Sequence, residues 1–151
     1  MTDNRIKDIE LIEKHLRKID YIIRKTGRMI LTDFEITVPQ FTALQVLINN
    51  GDMTIGELSQ NMDLACSTIT DLIDRMEKTG LVKRTKDIND KRVVRVIVED
   101  KGNEVLAKVL ERRIDFLSNK LKDLTNVEIG NLQTALTDLF NEIDEEGSES
   151  K

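Results

Sequence analysis

The stretch from Thr54 to Glu99 constrains the fold most, because its residue pattern changes several times over a short length. Thr54-Ile-Gly-Glu57 reads as a capping box, with Met53 and Leu58 at staple spacing around it. It opens a helix of about two turns that reaches Asn61. Met62-Asp-Leu64 then turns the chain into a longer helix, in which Ile69, Leu72, Ile73 and Met76 keep the i, i+3, i+4, i+7 spacing of one buried face. Gly80 stands where that helix needs its stop. Beyond it, Leu81–Lys86 and Val93–Glu99 are rich in β-branched residues, and the polar run Asp87-Ile-Asn-Asp-Lys-Arg92 separates them, predicting a β-hairpin with a charged tip. Upstream, Thr37-Val-Pro-Gln40 opens another short helix, with Pro39 in its first turn, and Asn49-Asn50-Gly51 closes it.

The two ends of the chain carry a different pattern. Ile9, Ile12, Leu16, Ile19, Ile23 and Ile30 alternate at three and four residues, which places them on one stripe of a long helix. Leu106, Leu110, Ile114, Leu117, Leu121 and Leu124 mark a second amphipathic helix, and Ile129, Leu132, Leu136, Leu139 and Ile143 a third. Thr125-Asn-Val-Glu128 between the last two is a further capping box. The Ser/Glu/Gly tail beyond about residue 145 is expected to fray.

Composition narrows the chemistry. The single histidine, His15, and single cysteine, Cys66, leave no material for a disulfide, a multi-cysteine zinc cluster or a catalytic triad, so neither an enzyme nor a cofactor or metal site is expected. No Trp and one Tyr argue against aromatic platforms for single strands. Apolar runs are far shorter than the roughly 20 residues that cross a bilayer, and the polar start MTDNRIKDIE does not read as a signal peptide. The expected place is the cytoplasm, with no membrane partner. A net charge of −5 seems unsuited to nucleic acid, but it is unevenly spread. The window Lys83–Arg95 holds Lys83, Arg84, Lys86, Lys91, Arg92 and Arg95 against Asp87 and Asp90, a local +4 on a remainder of −9.

Helix, short helix, tight turn, longer helix and charged hairpin are together the order of a winged helix-turn-helix. The segment TIGELSQNMDLACSTITDLIDRMEKTGLVKR followed by DINDKRVVRVIVEDKG resembles the MarR family of transcriptional regulators. The family's pattern falls on Ser67-Thr68, Thr70, Leu72-Ile73, Gly80-Leu81-Val82 and Arg84, and its wing signature on Asp90-Lys91-Arg92. Two positions depart from that pattern: Asp71 follows Thr70, and Glu99 replaces the usual Thr before the next helix, leaving Asp100 as the expected N-cap. The resemblance implies a mostly α fold with a small β-hairpin wing, divided into an N-terminal dimerisation helix (1–34), a DNA-binding lobe (35–100), C-terminal dimerisation helices (101–146) and the acidic tail (147–151). It further implies a homodimeric repressor of double-stranded DNA at a pseudo-palindromic operator, released by a small aromatic or anionic ligand. A winged-helix module that binds another protein instead of DNA is the alternative.

The residues expected to meet DNA are Ser67, Thr68, Thr70, Asp71 and Arg75 on the recognition helix, Thr54 at the preceding helix start, and Lys91, Arg92 and Arg95 on the wing. Short hydroxyl side chains near a helix start suit base edges and phosphates, although Ser and Thr also merely cap and solvate. Arg92 is assigned the minor groove by the resemblance, where a narrow A·T-rich groove attracts arginine. Asp71 either accepts from cytosine N4 or pairs with Arg75 one turn on, the pairing being favoured. Arg84 is read as structural, paired with Asp90 or Asp87 inside the hairpin. Cys66 is read as a small buried thiol before a redox sensor, His15 as a surface or interface residue, and Tyr21 and the methionines as core or pocket wall.

Overall fold

The computed structural model describes residues 2–144. The expected fraying of the acidic tail lies outside the described residues. The elements in order are α1 (Asp3–Asp33), α2 (Val38–Asn50), β1 (Met53–Thr54), α3 (Ile55–Met62), α4 (Cys66–Lys78), β2 (Val82–Lys86), β3 (Val94–Val98), α5 (Asp100–Lys120) and α6 (Asn126–Ile143). The fold is therefore mostly α with a small antiparallel sheet, as expected. Contacts group the chain into two compact units that meet within α5, one running through Arg113 and the other beginning at Ile114.

Local signals set the ends of the central helices. Thr37 caps α2, its side chain accepting from the Gln40 N–H while the Gln40 side chain returns to the Thr37 N–H. Gly51 ends α2 with φ of 90°. α4 ends in a complete Schellman motif: Gly80 at φ 80° donates to the Glu77 carbonyl, and Leu81 to that of Met76. Met76 and Leu81 are both buried, which supplies the hydrophobic contact of that motif. The turn between α3 and α4 needs a left-handed residue, and Asp63 takes it at φ 55°, with the Leu64 N–H bonded to the Ser59 carbonyl and the Ser59 hydroxyl donating to the Leu64 carbonyl.

The core belongs to the first unit. Leu44 of α2, Leu58 of α3, Ile69, Ile73 and Met76 of α4, Val82 of β2 and Val96 of β3 are all fully enclosed. α2 packs against α3, α4 and β3, and α4 against β2. In the sheet, of order β1-β3-β2, Met53 faces Val96, Thr54 faces Arg95, and β2 pairs with β3 along its whole length. Strand β1 was absent from the sequence reading. It is two residues long and exists only through its pairing with β3, which no local pattern announces. For the same reason the Thr54 box closes only halfway: Thr54 accepts from the Glu57 N–H at 3.1 Å, but its own backbone lies in the sheet edge rather than under the Glu57 side chain.

Three further expectations are corrected. Asp100 is the first residue of α5, not its cap; the Glu99 carbonyl accepts from the Asn103 N–H and so holds the N-cap place. Helix α5 stops at Lys120, and Leu121 and Leu124 lie in the turn beyond it, because Thr125 restarts the chain with a reciprocal box to Glu128. Tyr21 is 63% exposed on a stretch of α1 where every side chain from Thr2 to Lys25 is exposed, so it is neither core nor pocket wall. Met53 and Met76 are buried as expected, whereas Met29 is exposed.

The second unit contains the end of α5 and α6, and α6 has no buried residue at all. Leu132, Leu136, Phe140 and Ile143 are exposed on it. Among the described residues no helix is long and apolar enough to cross a membrane.

Candidate nucleic-acid interface

Burying Ile69, Ile73 and Met76 fixes which side of α4 faces outward. Ser67, Thr68, Asp71, Asp74, Arg75 and Lys78 are exposed. Thr70 stands on the flank, half-buried, and its hydroxyl donates to the Cys66 carbonyl at 2.9 Å, so only its lone pairs remain for a ligand. Ala65 holds the N-cap of α4 and offers no side-chain acceptor. The first-turn N–H groups therefore point outward without a side-chain partner from the cap, next to Ser67 and Thr68. That this helix start adds its own N–H groups is an expectation of the sequence; the residue that leaves them uncapped, Ala65, was not singled out, although alanine is among the poorest capping residues.

Cys66 is exposed, contrary to the expectation of a buried thiol. It continues the apolar stripe of α4, but Leu64 and Ala65 beside it are exposed too, so nothing covers the stripe at its first turn. The expected Asp71–Arg75 ion pair is not formed. Among the described residues no carboxylate lies within ion-pair reach of Arg75. Both side chains point to solvent, where such a pair contributes at most a few tenths of a kcal/mol and offers little to hold it.

Arg84 is structural, but with other partners than those expected. It leaves the hairpin and reaches α4, where Nη2 donates to Asp74 and Nη1 to Glu77 Oε1 at 3.1 Å, while its backbone N–H meets Glu77 Oε2 at 2.8 Å. This clasp joins the base of the wing to the recognition helix. It also offsets two of the three acidic side chains of α4, leaving Arg75 and Lys78 to dominate the outward charge. The end of α4 is tied a second time by Lys101, whose Nζ donates to the Thr79 carbonyl at 2.7 Å.

The wing tip is organised by carboxylates. Asp87 Oδ2 accepts from the Asn89 and Asp90 N–H groups at 3.2 and 3.1 Å, and Oδ1 from Arg95 Nε at 3.1 Å. The Arg95 hydrogen bond first, and the Asp90 N–H second, hold the Asp87 carboxyl below its ordinary range. Asp90 accepts from the Arg92 backbone and from its guanidinium, and that side-chain bond is the main reason its carboxyl is also lowered. Arg92 is nevertheless 92% exposed in its side chain, and Lys91 is exposed. Arg95 is only partly exposed and sits opposite Thr54 across the β1–β3 register. The nine residues singled out in the sequence thus lie on three neighbouring elements: α4, the hairpin, and the β1–α3 junction.

Gly102 was not anticipated. A Cβ there would collide with the Leu81 carbonyl oxygen and approach Val98 Cγ1 to 2.8 Å. The first turn of α5 therefore lies directly on the base of the wing, an approach only glycine permits. No grouping of His, Cys, Asp and Glu that suits a metal ion occurs among the described residues.

Known proteins share this arrangement. The MarR family pattern matches residues 36–94. The chain is 46% identical over 143 residues to YsmB, an uncharacterised HTH-type transcriptional regulator of Bacillus subtilis, spanning 95% of this chain and 98% of that protein. A MarR family protein from Bacillus stearothermophilus is 42% identical and superposes with a TM-score of 0.80 over 96% of this chain and 99% of its own. A transcriptional regulator from Thermotoga maritima is 34% identical, with a TM-score of 0.78 over 92% and 98% of the two chains. With this winged helix-turn-helix and these relatives, the chain belongs to the MarR family of DNA-binding transcriptional regulators.

Proposed function

We propose that the protein is a homodimeric repressor, acting in the cytoplasm, that reads a pseudo-palindromic operator. The observation that carries this reading is the Arg84 clasp, which holds a hairpin with an exposed cationic tip against a recognition helix whose outer face is short and polar. Ser67, Thr68 and Thr70 enter the major groove with Arg75, and the α4 N-terminus meets a phosphate. Asp71, free of Arg75, faces a cytosine N4 amine. Lys91 and Arg92 enter the flanking minor groove, where Arg92 exchanges Asp90 for the groove's negative potential. Thr54 and Arg95, opposite one another in the sheet, take the backbone at the α3 start. The exposed stripes of α1 and α6 supply the dimer, which sets the two recognition helices about 34–36 Å apart.

A small ligand fits the first unit. A cavity of about 220 Å³ has Leu31, Phe41 and Val109 in its wall and Arg24, Arg28 and Arg113 around it. Arg24 is committed to Asp20, while among the described residues no carboxylate pairs with Arg28 or Arg113. An apolar wall with two free guanidinium groups suits a small aromatic carboxylate.

The test is selection of bound genomic fragments, followed by duplex titration over a salt series. A steep fall of log affinity with log salt is expected, and Arg92→Ala should lower that slope by about one while weakening binding on most sequences. Failure of the parent protein to bind any selected duplex at low ionic strength would overturn the reading. Unaltered affinity of Arg92→Ala on every duplex would remove the wing from it.

A further inference from the structure

We propose that Ile88 is a minor-groove contact: with the wing seated on DNA, its side chain lies against the deoxyribose walls of an A·T-rich groove beside Arg92. The inference rests on the DNA-binding reading above and adds to it an apolar, base-composition-sensing residue at the wing tip.

Ile88 is 97% exposed, more than any other large apolar side chain among the described residues, the next being Val127 at 72%. Single exposed hydrophobics are ordinary on a protein surface, so its setting has to carry the argument. Asp87 Oδ2 accepts from the N–H groups of both Asn89 and Asp90, so one carboxylate bridges the backbone around Ile88. The same carboxylate is anchored to Arg95 of β3 through its other oxygen. The turn is thus fixed from behind, and the isoleucine is held at its outer side instead of folding back over the hairpin. Lys86, Lys91 and Arg92 of the same hairpin are exposed, Arg92 with its guanidinium on Asp90.

A lone apolar side chain on a small polar turn is poorly matched to a protein partner's hydrophobic patch, which would need a larger apolar area opposite it. It is well matched to a nucleic-acid groove, where phosphates flank apolar sugar faces. Isoleucine is among the apolar side chains that proteins place in minor grooves, elsewhere as wedges between base steps; a single one at a hairpin tip reaches the sugar faces without opening the stack. The groove floor discriminates: guanine carries an N2 amine there and A·T pairs do not, so a branched aliphatic group penetrates A·T sequence further. Arg92 favours the same narrow sequence for an electrostatic reason. The two residues therefore act on one preference by different physics, and salt separates them, since burying methyl groups releases no counterions.

The experiment compares the parent protein, Ile88→Ala and Ile88→Leu on A·T-rich and G·C-rich duplexes of equal length, by fluorescence anisotropy over a salt series. Ile88→Ala should bind the A·T-rich duplex about tenfold more weakly, lose distinctly less on the G·C-rich duplex, and keep the parent's salt slope. Ile88→Leu should restore most of the loss. Thermal unfolding of both variants should match the parent's, since the side chain is exposed. Equal affinity of Ile88→Ala and parent on the A·T-rich duplex, an equal loss on both duplexes, or a changed slope would each overturn the assignment to Ile88 while leaving DNA binding in place. A parent protein that binds neither duplex would overturn both.

Discussion

Helices α4 and α6 are written with the same kind of amphipathic stripe and end in opposite states. In α4 the residues Ile69, Ile73 and Met76 are fully enclosed, covered by α2, α3 and β2 of the same chain. In α6 nothing is buried, and Leu132, Leu136 and Phe140 stand open, as do Ile9, Ile12, Leu16 and Ile19 of α1. Periodicity tells which face requires cover and is silent on what provides it. A chain that encloses one stripe within itself and leaves others exposed divides its stability between an internal core and the proposed partner copy. The wing tip is a third case, with no apolar cover and only polar ties.

The largest effect is expected where cover comes from outside the chain. Leu132→Arg combined with Leu136→Arg places two charges in the open stripe of α6, and their desolvation on association is costly. The full-length variant should sediment as a monomer at concentrations where the parent is a dimer, a loss of at least about a hundredfold in association. Amides of Ile69 and Ile73 in α4 should keep slow exchange, since their core is made within the chain. A monomeric parent at micromolar concentration would break the comparison at its root.

Gly102 tests the other side, where cover is internal. Alanine is intrinsically better than glycine in a helix by about 1 kcal/mol, and on an exposed turn Gly102→Ala would stabilise. Here the new Cβ meets the Leu81 carbonyl, which cannot withdraw because it accepts from the Glu99 N–H at 2.9 Å. The overpacking should win, with a net loss of about 1–3 kcal/mol in chemical denaturation and a lower melting temperature. A gain in stability would show that α5 is free to move away from the wing.

The same contrast explains what the sequence made legible. The helix start at Thr37, the box at Thr125, the stop at Gly80 and the buried face of α4 rest on residues within one turn of each other, so spacing alone discloses them. Strand β1, the reach of Arg84 to Asp74 and Glu77, and the close approach at Gly102 depend on segments that meet only after folding. Arg84 illustrates the limit well. Its structural role was readable from the two carboxylates of its own hairpin, Asp87 and Asp90, but the ones that hold it belong to the preceding helix, which no hairpin-local argument could select. Cys66 errs in the opposite direction: its spacing continues the buried stripe, and only its place in the first turn of α4 leaves it uncovered.

The smallest effect belongs to the wing tip, where ties are polar and exposed. Asp87 has its carboxyl lowered below the ordinary 3.8 by Arg95 and the Asp90 N–H, and Asp90 has its own lowered by Arg92. A carboxylate depressed in the folded state contributes order above its unfolded value and loses it as pH falls through the lower folded value. Exchange protection of the Asn89 and Asp90 amides should accordingly stay flat from neutral pH down to about 4 and decline only below that, once corrected for intrinsic exchange. The Ile69 and Ile73 amides, enclosed by apolar side chains, should show no inflection in that window. Asp87→Asn keeps an acceptor oxygen but loses the charge that faces Arg95, so it should loosen the tip at every pH and leave a shallower response carried by Asp90. Loosening of the parent tip between pH 7 and 5 would mean that a group other than these two carboxylates controls the wing.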